Sequence, residues 1–186
     1  ALTVARDRLG ELAQMLVLER GFEPQDAISA LDTAETRVGR NWRSQQVRGH
    51  LMLASQKFGP AAKAFCQVLS GRFEAPEKTD RLQAALLAGK AFNLAERPAE
   101  AQRVLSLAMQ EEALRVEAIV ESANSSAAMG EAVVAERLWR RALELEGQNA
   151  TARLQLARLF RSKGEINRAS EEYEKLLDIK GLTRDV

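Results

Sequence analysis

Several residue types on which catalysis and metal binding depend are scarce in this chain. Its 186 residues include one cysteine, Cys66, and one histidine, His50. A single cysteine excludes an internal disulfide. The sequence also has neither the Cys–His pairing nor the two-histidine spacing that is typical of metal sites. No glycine-rich phosphate loop follows a strand pattern. The sequence therefore favours a protein that is not an enzyme and that holds no metal or cofactor.

Long apolar runs and a strong excess of one charge are also missing. No run approaches the roughly 20 apolar residues that a membrane-spanning helix needs, so we expect no membrane insertion by this segment. The formal net charge is +1, which is too small for the broad positive field that neutralises nucleic-acid phosphates. Membranes and nucleic acids are therefore not the expected partners.

Proline and aromatic residues are few, with 4 prolines and 5% aromatics. Alanine, leucine, arginine and glutamate dominate instead, and these residues lose little conformational freedom on entering a helix. The composition therefore predicts helix almost throughout. Arginine outnumbers lysine by 20 to 7, which is typical of high-GC bacteria and favours a bacterial source.

The stretch from residue 150 to residue 181 predicts two short amphipathic helices separated at Gly164. Each has one apolar stripe at helical spacing, and neither is apolar enough all round to be stable alone. Two such helices joined by a tight turn form a helical hairpin. The two stripes consist of Leu154, Leu156, Leu159 and Phe160, and of Ala169, Tyr173, Leu176 and Leu177.

The same hairpin recurs at a fixed interval along the chain. The residue numbers of Gly130 and Gly164 differ by 34, and so do those of Trp139 and Tyr173. Ala101, Ala135 and Ala169 are spaced in the same way. Over residues 80–181 the chain therefore resembles the tetratricopeptide repeat family, whose unit is a helix–turn–helix of about 34 residues. The matching positions are Ala157, Phe160, Gly164, Ala169 and Tyr173; Ala123, Gly130, Ala135, Trp139 and Ala142; and Gly89, Phe92, Ala101 and Ala108.

The chain departs from the family pattern at two positions. Ala85, Ile119 and Arg153 stand where the family has tryptophan, and Gly147 and Gly181 replace its closing proline. The repeats are therefore diverged.

The resemblance implies an all-α, right-handed α-solenoid of about five repeats in a single domain covering residues 1–186. The expected repeats are residues 2–37, 41–70, 80–109, 113–146 and 149–179, and the first begins with a helix over residues 2–20. In the second unit Arg48 falls at an expected core position, which predicts a one-residue shift in the turn.

One spacing differs from this period. The residue numbers of Ala61 and Ala101 differ by 40 rather than 34, which predicts an insertion of six residues within residues 70–79. Asp80 is the expected N-cap of the helix that follows.

The last repeat is followed by too few residues to cap it. Five residues come after Gly181, whereas a repeat array needs a terminal cap with a polar outer face. We therefore expect either a piece of a longer array or self-association through the C-terminal repeat.

The resemblance also implies that the first helix of each unit lines a concave groove that binds an extended peptide or a helix. Residues one period apart should form columns along this groove, with an apolar strip beside a mostly basic one that Glu117 and Glu121 interrupt. Such a groove suits a partner with apolar anchors and acidic groups or a C-terminal carboxylate. The columns are Lys90, Asn124 and Arg158, with His50 as a candidate extension; Asn93 and Arg161, with Ala127 between them; and Leu86, Val120 and Leu154.

Alternatives to groove binding stay open at this stage. The concave face could be simply solvated, or the loop of residues 70–79 could contact a partner through Phe73.

The leading interpretation is a protein–protein interaction scaffold. The resemblance places such scaffolds in bacterial envelope assembly, secretion or exopolysaccharide export, in either the periplasm or the cytoplasm. The alternative is a regulatory or sensor segment attached to an enzyme or a DNA-binding domain. The sequence outside these 186 residues would decide between the two.

Overall fold

The computed structural model describes residues 23–73 and 77–179, apart from the side chain of Val38. The helix predicted over residues 2–20, residues 74–76 and the end of the chain after residue 179 lie outside the described residues. Within the described ranges the chain forms nine α-helices and no strand. The helices are α1 (Pro24–Val38), α2 (Trp42–Ala54), α3 (Phe58–Leu69), α4 (Lys78–Leu94), α5 (Pro98–Ala108), α6 (Glu112–Ala128), α7 (Ala132–Leu145), α8 (Ala150–Ser162) and α9 (Ile166–Ile179).

The helices form a stack of hairpins. α2 pairs with α3, α4 with α5, α6 with α7 and α8 with α9, and each hairpin packs on the one before it. The first helices α4 and α6 also contact each other directly. A chain in which each unit contacts its sequence neighbours has the architecture of a solenoid, as the resemblance implied.

Within a hairpin the two helices approach closely where the first helix has a very small residue. A Cβ atom added to Gly49 would lie 2.6 Å from ring atoms of Phe65, and one added to Gly89 would lie 2.4 Å from Leu105. Phe65 and Leu105 are fully buried, so neither can move aside into solvent. The large residue of the second helix therefore occupies the space that the missing side chain leaves.

A small residue on the second helix completes this contact. Ala61 and Ala101 are fully buried, and the number of each exceeds that of its hairpin glycine, Gly49 or Gly89, by 12. Ala135 and Ala169 are also buried and follow buried alanines of α6 and α8 at the same spacing. The four hairpins therefore share one register, and the one-residue shift predicted near Arg48 is wrong.

The turn inside each hairpin needs one residue in the left-handed region. Gly130 and Gly164 have φ values of +80° and +76° there. The equivalent residues of the earlier hairpins are Gln56 and Glu96, with φ values of +56° and +57°. A side chain makes this conformation less favourable. These two turns nevertheless have the same left-handed geometry as the turns that contain glycine.

The longest connection within the stack joins α3 to α4. It covers residues 70–77, whereas the other connections between hairpins have three or four residues. This connection is four or five residues longer than the others, so most of the predicted six-residue excess lies where the spacing placed it.

The start of the helix after this connection differs from the prediction. Glu77 is at the N-cap position of α4 and makes no side-chain capping bond. Asp80 is therefore not the N-cap and lies in the first turn, where a carboxylate is still favourable. α3 begins at Phe58, two residues before Pro60. Pro60 remains in the first turn, where a backbone N–H has no helical partner.

The contact between α1 and α2 contains a buried carboxylate. The Glu35 side chain is 5% exposed and accepts hydrogen bonds from Ser44 Oγ at 2.7 Å, Gln45 Nε2 at 2.9 Å and Arg48 at 2.6 Å. Arg48 also bonds Asp32 at 2.7 Å. Burial alone would lower the pKa of Arg48, but its bonds to the two carboxylates raise it. A buried charge is tolerated when it is fully paired, which explains how Arg48 can stand beside the core.

We predict that Gly49→Ala destabilises the protein although alanine favours helix. Overpacking a core contact costs about 1–3 kcal/mol, which exceeds the roughly 1 kcal/mol that alanine gains over glycine in a helix. Gly59→Ala is the matched control, because nothing lies within 4 Å of a Cβ atom there. Urea unfolding should show a lower midpoint for Gly49→Ala alone. Equal midpoints for the two variants would contradict the close-contact interpretation.

Candidate partner-binding surface

The predicted polar residues lie at equivalent positions on the first helices of three successive hairpins. Lys90 and Asn93 are on α4, Asn124 is on α6, and Arg158 and Arg161 are on α8. The side chains on α4 and α6 are partly buried, and the two arginines of α8 are exposed. The predicted residues therefore recur at equivalent helix positions, but their surroundings differ from one helix to the next.

The predicted apolar column is not an open strip on α4 and α6. Leu86 and Val120 are buried and belong to the hydrophobic core between the hairpins. Leu154, on α8, is partly exposed. Helical periodicity placed these residues on a shared side of their helices, but neighbouring helices cover the first two. As a surface available to a partner, the column is thus reduced to Leu154.

On α4 the polar residues are bonded to α6. Lys90 makes an ion pair with Glu117. Asn93 Nδ2 donates to the backbone oxygen and to the carboxylate of Glu121, both at 2.9 Å, and Asn93 Oδ1 accepts from Ser125 Oγ at 2.7 Å. These bonds hold α4 and α6 side by side, so the positive charge of Lys90 is balanced within the protein.

Asn124 is also engaged in internal bonds. Its Oδ1 atom accepts from Trp139 Nε1 at 3.2 Å, and its Nδ2 atom lies 3.4 Å from the Glu121 carboxylate. Trp139 is buried, and its N–H group needs an acceptor there. Asn124 therefore serves the α6–α7 contact as well as the surface.

The positive charges of Arg158 and Arg161 on α8 have no such balance. Neither Arg158 nor Arg161 makes an ion pair or a side-chain hydrogen bond with any residue that the structure describes. Arginine stays protonated at all relevant pH values and can hold a carboxylate through two parallel hydrogen bonds. These two side chains are therefore available to an acidic group from outside.

An exposed apolar area lies near the turns that follow α4 and α6, and the sequence interpretation missed it. We call Leu94, Ala127, Ala128 and Met129 the rim patch. Leu94 is 56% exposed and Met129 is 36% exposed, and both alanines are exposed. Ala128 lies one period after Leu94, and Arg161 lies one period after Ala127. The repeat register could have found this patch one position beyond the columns that it did identify.

His50 extends the polar column on α2. Its spacing from Lys90 is the same as the spacing between Gly49 and Gly89. Its ring packs edge-on against Phe65, with 5.3 Å between the ring centroids, and burial lowers the pKa of His50. The imidazole is therefore neutral at pH 7, and His50 adds no positive charge to the column.

Comparison with known proteins identifies the fold. No family model and no curated protein matches the sequence. Among solved structures, MamA from Desulfovibrio magneticus RS-1 (residues 41 to the end) has a TM-score of 0.79 at 14% identity over the whole of both chains. PilW, a widely conserved type IV pilus biogenesis factor, has a TM-score of 0.76 at 20% identity, over 96% of this chain and 79% of its own. YrrB, described as a TPR protein with an unusual peptide-binding site, has a TM-score of 0.69 at 18% identity, over 97% and 93%.

This chain has the tetratricopeptide-repeat fold. The predicted all-α solenoid is thereby confirmed. The polar columns and the two free arginines lie on the first helices α4, α6 and α8, and the rim patch lies at the ends of α4 and α6. We refer to these residues together as the groove, because the resemblance implies that the first helices line a concave face.

A cleft of about 460 Å³ lies between α7, α8 and α9 of this tetratricopeptide-repeat stack. Arg140 and Arg168 lie over the ring of Phe160, which forms part of its floor. Both arginines also pair with Glu136, as does Lys163. The bond from Lys163, with help from the two arginines, lowers the pKa of Glu136. Since both arginines are already paired, the cleft is a poorer place for an acidic partner than the groove.

A second cleft of about 270 Å³ lies beside the long connection. Lys78, Leu82 and Leu107 are among the residues that line it. Phe73 is partly exposed nearby in sequence, so its predicted anchoring role stays a prediction.

The described residues include possible metal ligands and one cysteine. No group of three or more His, Cys, Asp or Glu side chains in them could hold a metal ion. Burial raises the pKa of the partly exposed Cys66 thiol, which disfavours the reactive thiolate. A membrane crossing needs a longer and more apolar helix than any in the described ranges.

We predict that His50 makes stability depend on pH. Because the folded-state pKa of His50 is lowered, its contribution to stability is present above the unfolded-state pKa of about 6.5. That contribution is lost as the pH falls through the folded-state value. Nuclear magnetic resonance titration of this one histidine should give a pKa below about 6.5. His50→Gln should weaken the fall in unfolding midpoint between about pH 7.5 and pH 5; an unchanged fall would assign it to other groups.

Proposed function

We propose that this chain is a non-enzymatic protein–protein interaction scaffold that binds an acidic, partly apolar segment of a partner protein in its groove. The observation that supports this most directly is the exposed pair Arg158 and Arg161, which has no carboxylate partner among the described residues. Elsewhere in the groove, positive and negative side chains form ion pairs within the protein, as Lys90 does with Glu117. The α8 end is therefore where an external carboxylate gains most.

The rim patch supplies the apolar part of the proposed contact. Interfaces take most of their binding energy from a few well-packed apolar or aromatic anchors surrounded by polar contacts. Leu94 and Met129 are exposed large side chains, and the small Ala127 and Ala128 on α6 are also exposed. A partner segment that places one apolar side chain here can direct acidic groups towards Arg161 and Arg158. Either an extended peptide or an amphipathic helix satisfies this arrangement.

The biological setting is a further part of the proposal. A role in bacterial envelope assembly or secretion is supported by the structural likeness to PilW, a pilus biogenesis factor. Exopolysaccharide export belongs to the same proposed setting, and a regulatory segment attached to an enzyme or a DNA-binding domain is the alternative hypothesis.

Self-association through the last repeat is a second candidate, which exposed residues of α9 favour. Leu177 is 45% exposed, whereas Leu143, at the equivalent position of α7, packs against the hydrophobic core that the last two hairpins share. A copy of the chain could cover Leu177 in the same way. Sedimentation at several concentrations tests this candidate, and a monomer at all of them would remove it.

We predict that Arg158→Glu combined with Arg161→Glu weakens binding of an acidic amphipathic peptide by at least about tenfold, because two charge-assisted contacts are lost. The probe is a fluorescein-labelled peptide of alternating glutamate and leucine, measured by fluorescence anisotropy. A peptide with lysine in place of glutamate serves as the ligand control. It should bind wild-type protein weakly and the double variant better.

The matched protein control is Arg103→Glu with Arg137→Glu. These arginines are exposed on the second helices α5 and α7 and stand one period apart, so the change in net charge is the same. Circular dichroism should be unchanged in both double variants. Equal losses of peptide binding in the two would show that only overall charge matters, and the groove proposal would then be wrong.

A further inference from the structure

We propose that Glu117 is a built-in competitor of the partner's carboxylate for Lys90. This inference rests on the proposed function and concerns its regulation. In the free protein Glu117 forms an ion pair with Lys90, so the cationic column is interrupted at α4. An acidic segment must therefore displace Glu117 before it can bind Lys90. Neutralising Glu117 would join Lys90 to the free arginines of α8.

The first support is the position of the pair. Lys90 lies one period before Asn124 and two periods before Arg158, so it belongs to the same column as the free arginine. A partner segment that follows this column from α8 reaches Lys90 across α6. Glu117 is on α6 and meets Lys90 at that point. Its carboxylate therefore stands where the next acidic group of the partner would lie.

The second support is that the pair is accessible. The Lys90 side chain is 31% exposed and that of Glu117 is 51% exposed. An exposed ion pair is screened by water and holds two long side chains in place at an entropic cost, so it is weak. A carboxylate that is already anchored by other contacts can therefore replace Glu117 without disturbing the core.

The third support comes from the other carboxylate on this face of α6. Glu121 lies one helical turn beyond Glu117 and accepts from Asn93 Nδ2 at 2.9 Å, with Asn124 Nδ2 at 3.4 Å. Two amides thus hold Glu121 in place as part of the α4–α6 contact. Within the described residues Lys90 is the one side chain that bonds Glu117. Glu117 is therefore the carboxylate of the two that can turn away.

The experiment measures binding of the glutamate–leucine peptide to Glu117→Gln by fluorescence anisotropy. We expect the affinity to rise about two- to fivefold, which corresponds to removing one exposed ion pair. The dependence of affinity on salt should also become steeper, because the peptide now gains a contact with Lys90 without breaking one. Glu144→Gln is the matched control: Glu144 is exposed on α7 and pairs with Arg141, and the charge change is the same. It should leave the affinity unchanged.

Lys90→Gln separates direct competition from general repulsion. In a Lys90→Gln background the further change Glu117→Gln should give no gain in affinity, because no cation is left to release. A gain of the same size in that background, or no gain from Glu117→Gln in the wild-type background, would overturn the inference. A gain from Glu144→Gln equal to that from Glu117→Gln would overturn it as well.

The same measurements separate this inference from the proposed function. Absence of peptide binding by the wild-type protein and all variants would refute the proposed function and this inference together. Binding that depends on Arg158 and Arg161 but does not respond to Glu117→Gln would refute the inference alone.

Discussion

The close approach of the two helices in each hairpin is the contact on which the rest of the structure depends. Where Phe65 lies against Gly49, and Leu105 against Gly89, a side chain on the first helix would collide with a buried one on the second. The two helices can come this near only because the residue between them is so small. Buried alanines hold the opposite side of the contact, so every unit has nearly the same shape, and units of equal shape stack into a regular array.

The regular stack brings side chains from different repeats into rows, and the rows determine the character of the surface. On α4 and α6 the polar side chains of the row bond to each other across the two helices, as Asn93 does to Glu121. On α8 the row ends in Arg158 and Arg161, which have no internal partner among the described residues. The same register thus produces one region whose polar side chains are paired within the protein and one whose arginines are not. The proposed binding site is based on this difference.

Much of the fold was predictable from the sequence, and the limits have physical reasons. Gly130, Gly164 and the alanines of the helix contacts revealed the period, because the same small residues recur there at intervals of 34. The earlier turns were hidden, because Gln56 and Glu96 adopt the left-handed conformation without glycine. Periodicity predicted on which side of their helices Leu86 and Val120 lie. It did not predict that they are buried, because burial depends on the neighbouring helix. Likewise, no local pattern indicates that Glu117 meets Lys90 from another repeat.

The carboxylate between α1 and α2 makes that junction unlike the others. At the apolar junctions, one aliphatic side chain can replace another of similar volume with little loss. Around Glu35, three donors on α2 must all be present, since an unpaired buried charge is strongly destabilising. The apolar contacts of the later hairpins can therefore change one residue at a time, whereas the residues of α1 and α2 around Glu35 have to change together. Exchange of repeats between related arrays should accordingly begin after this junction and not across it.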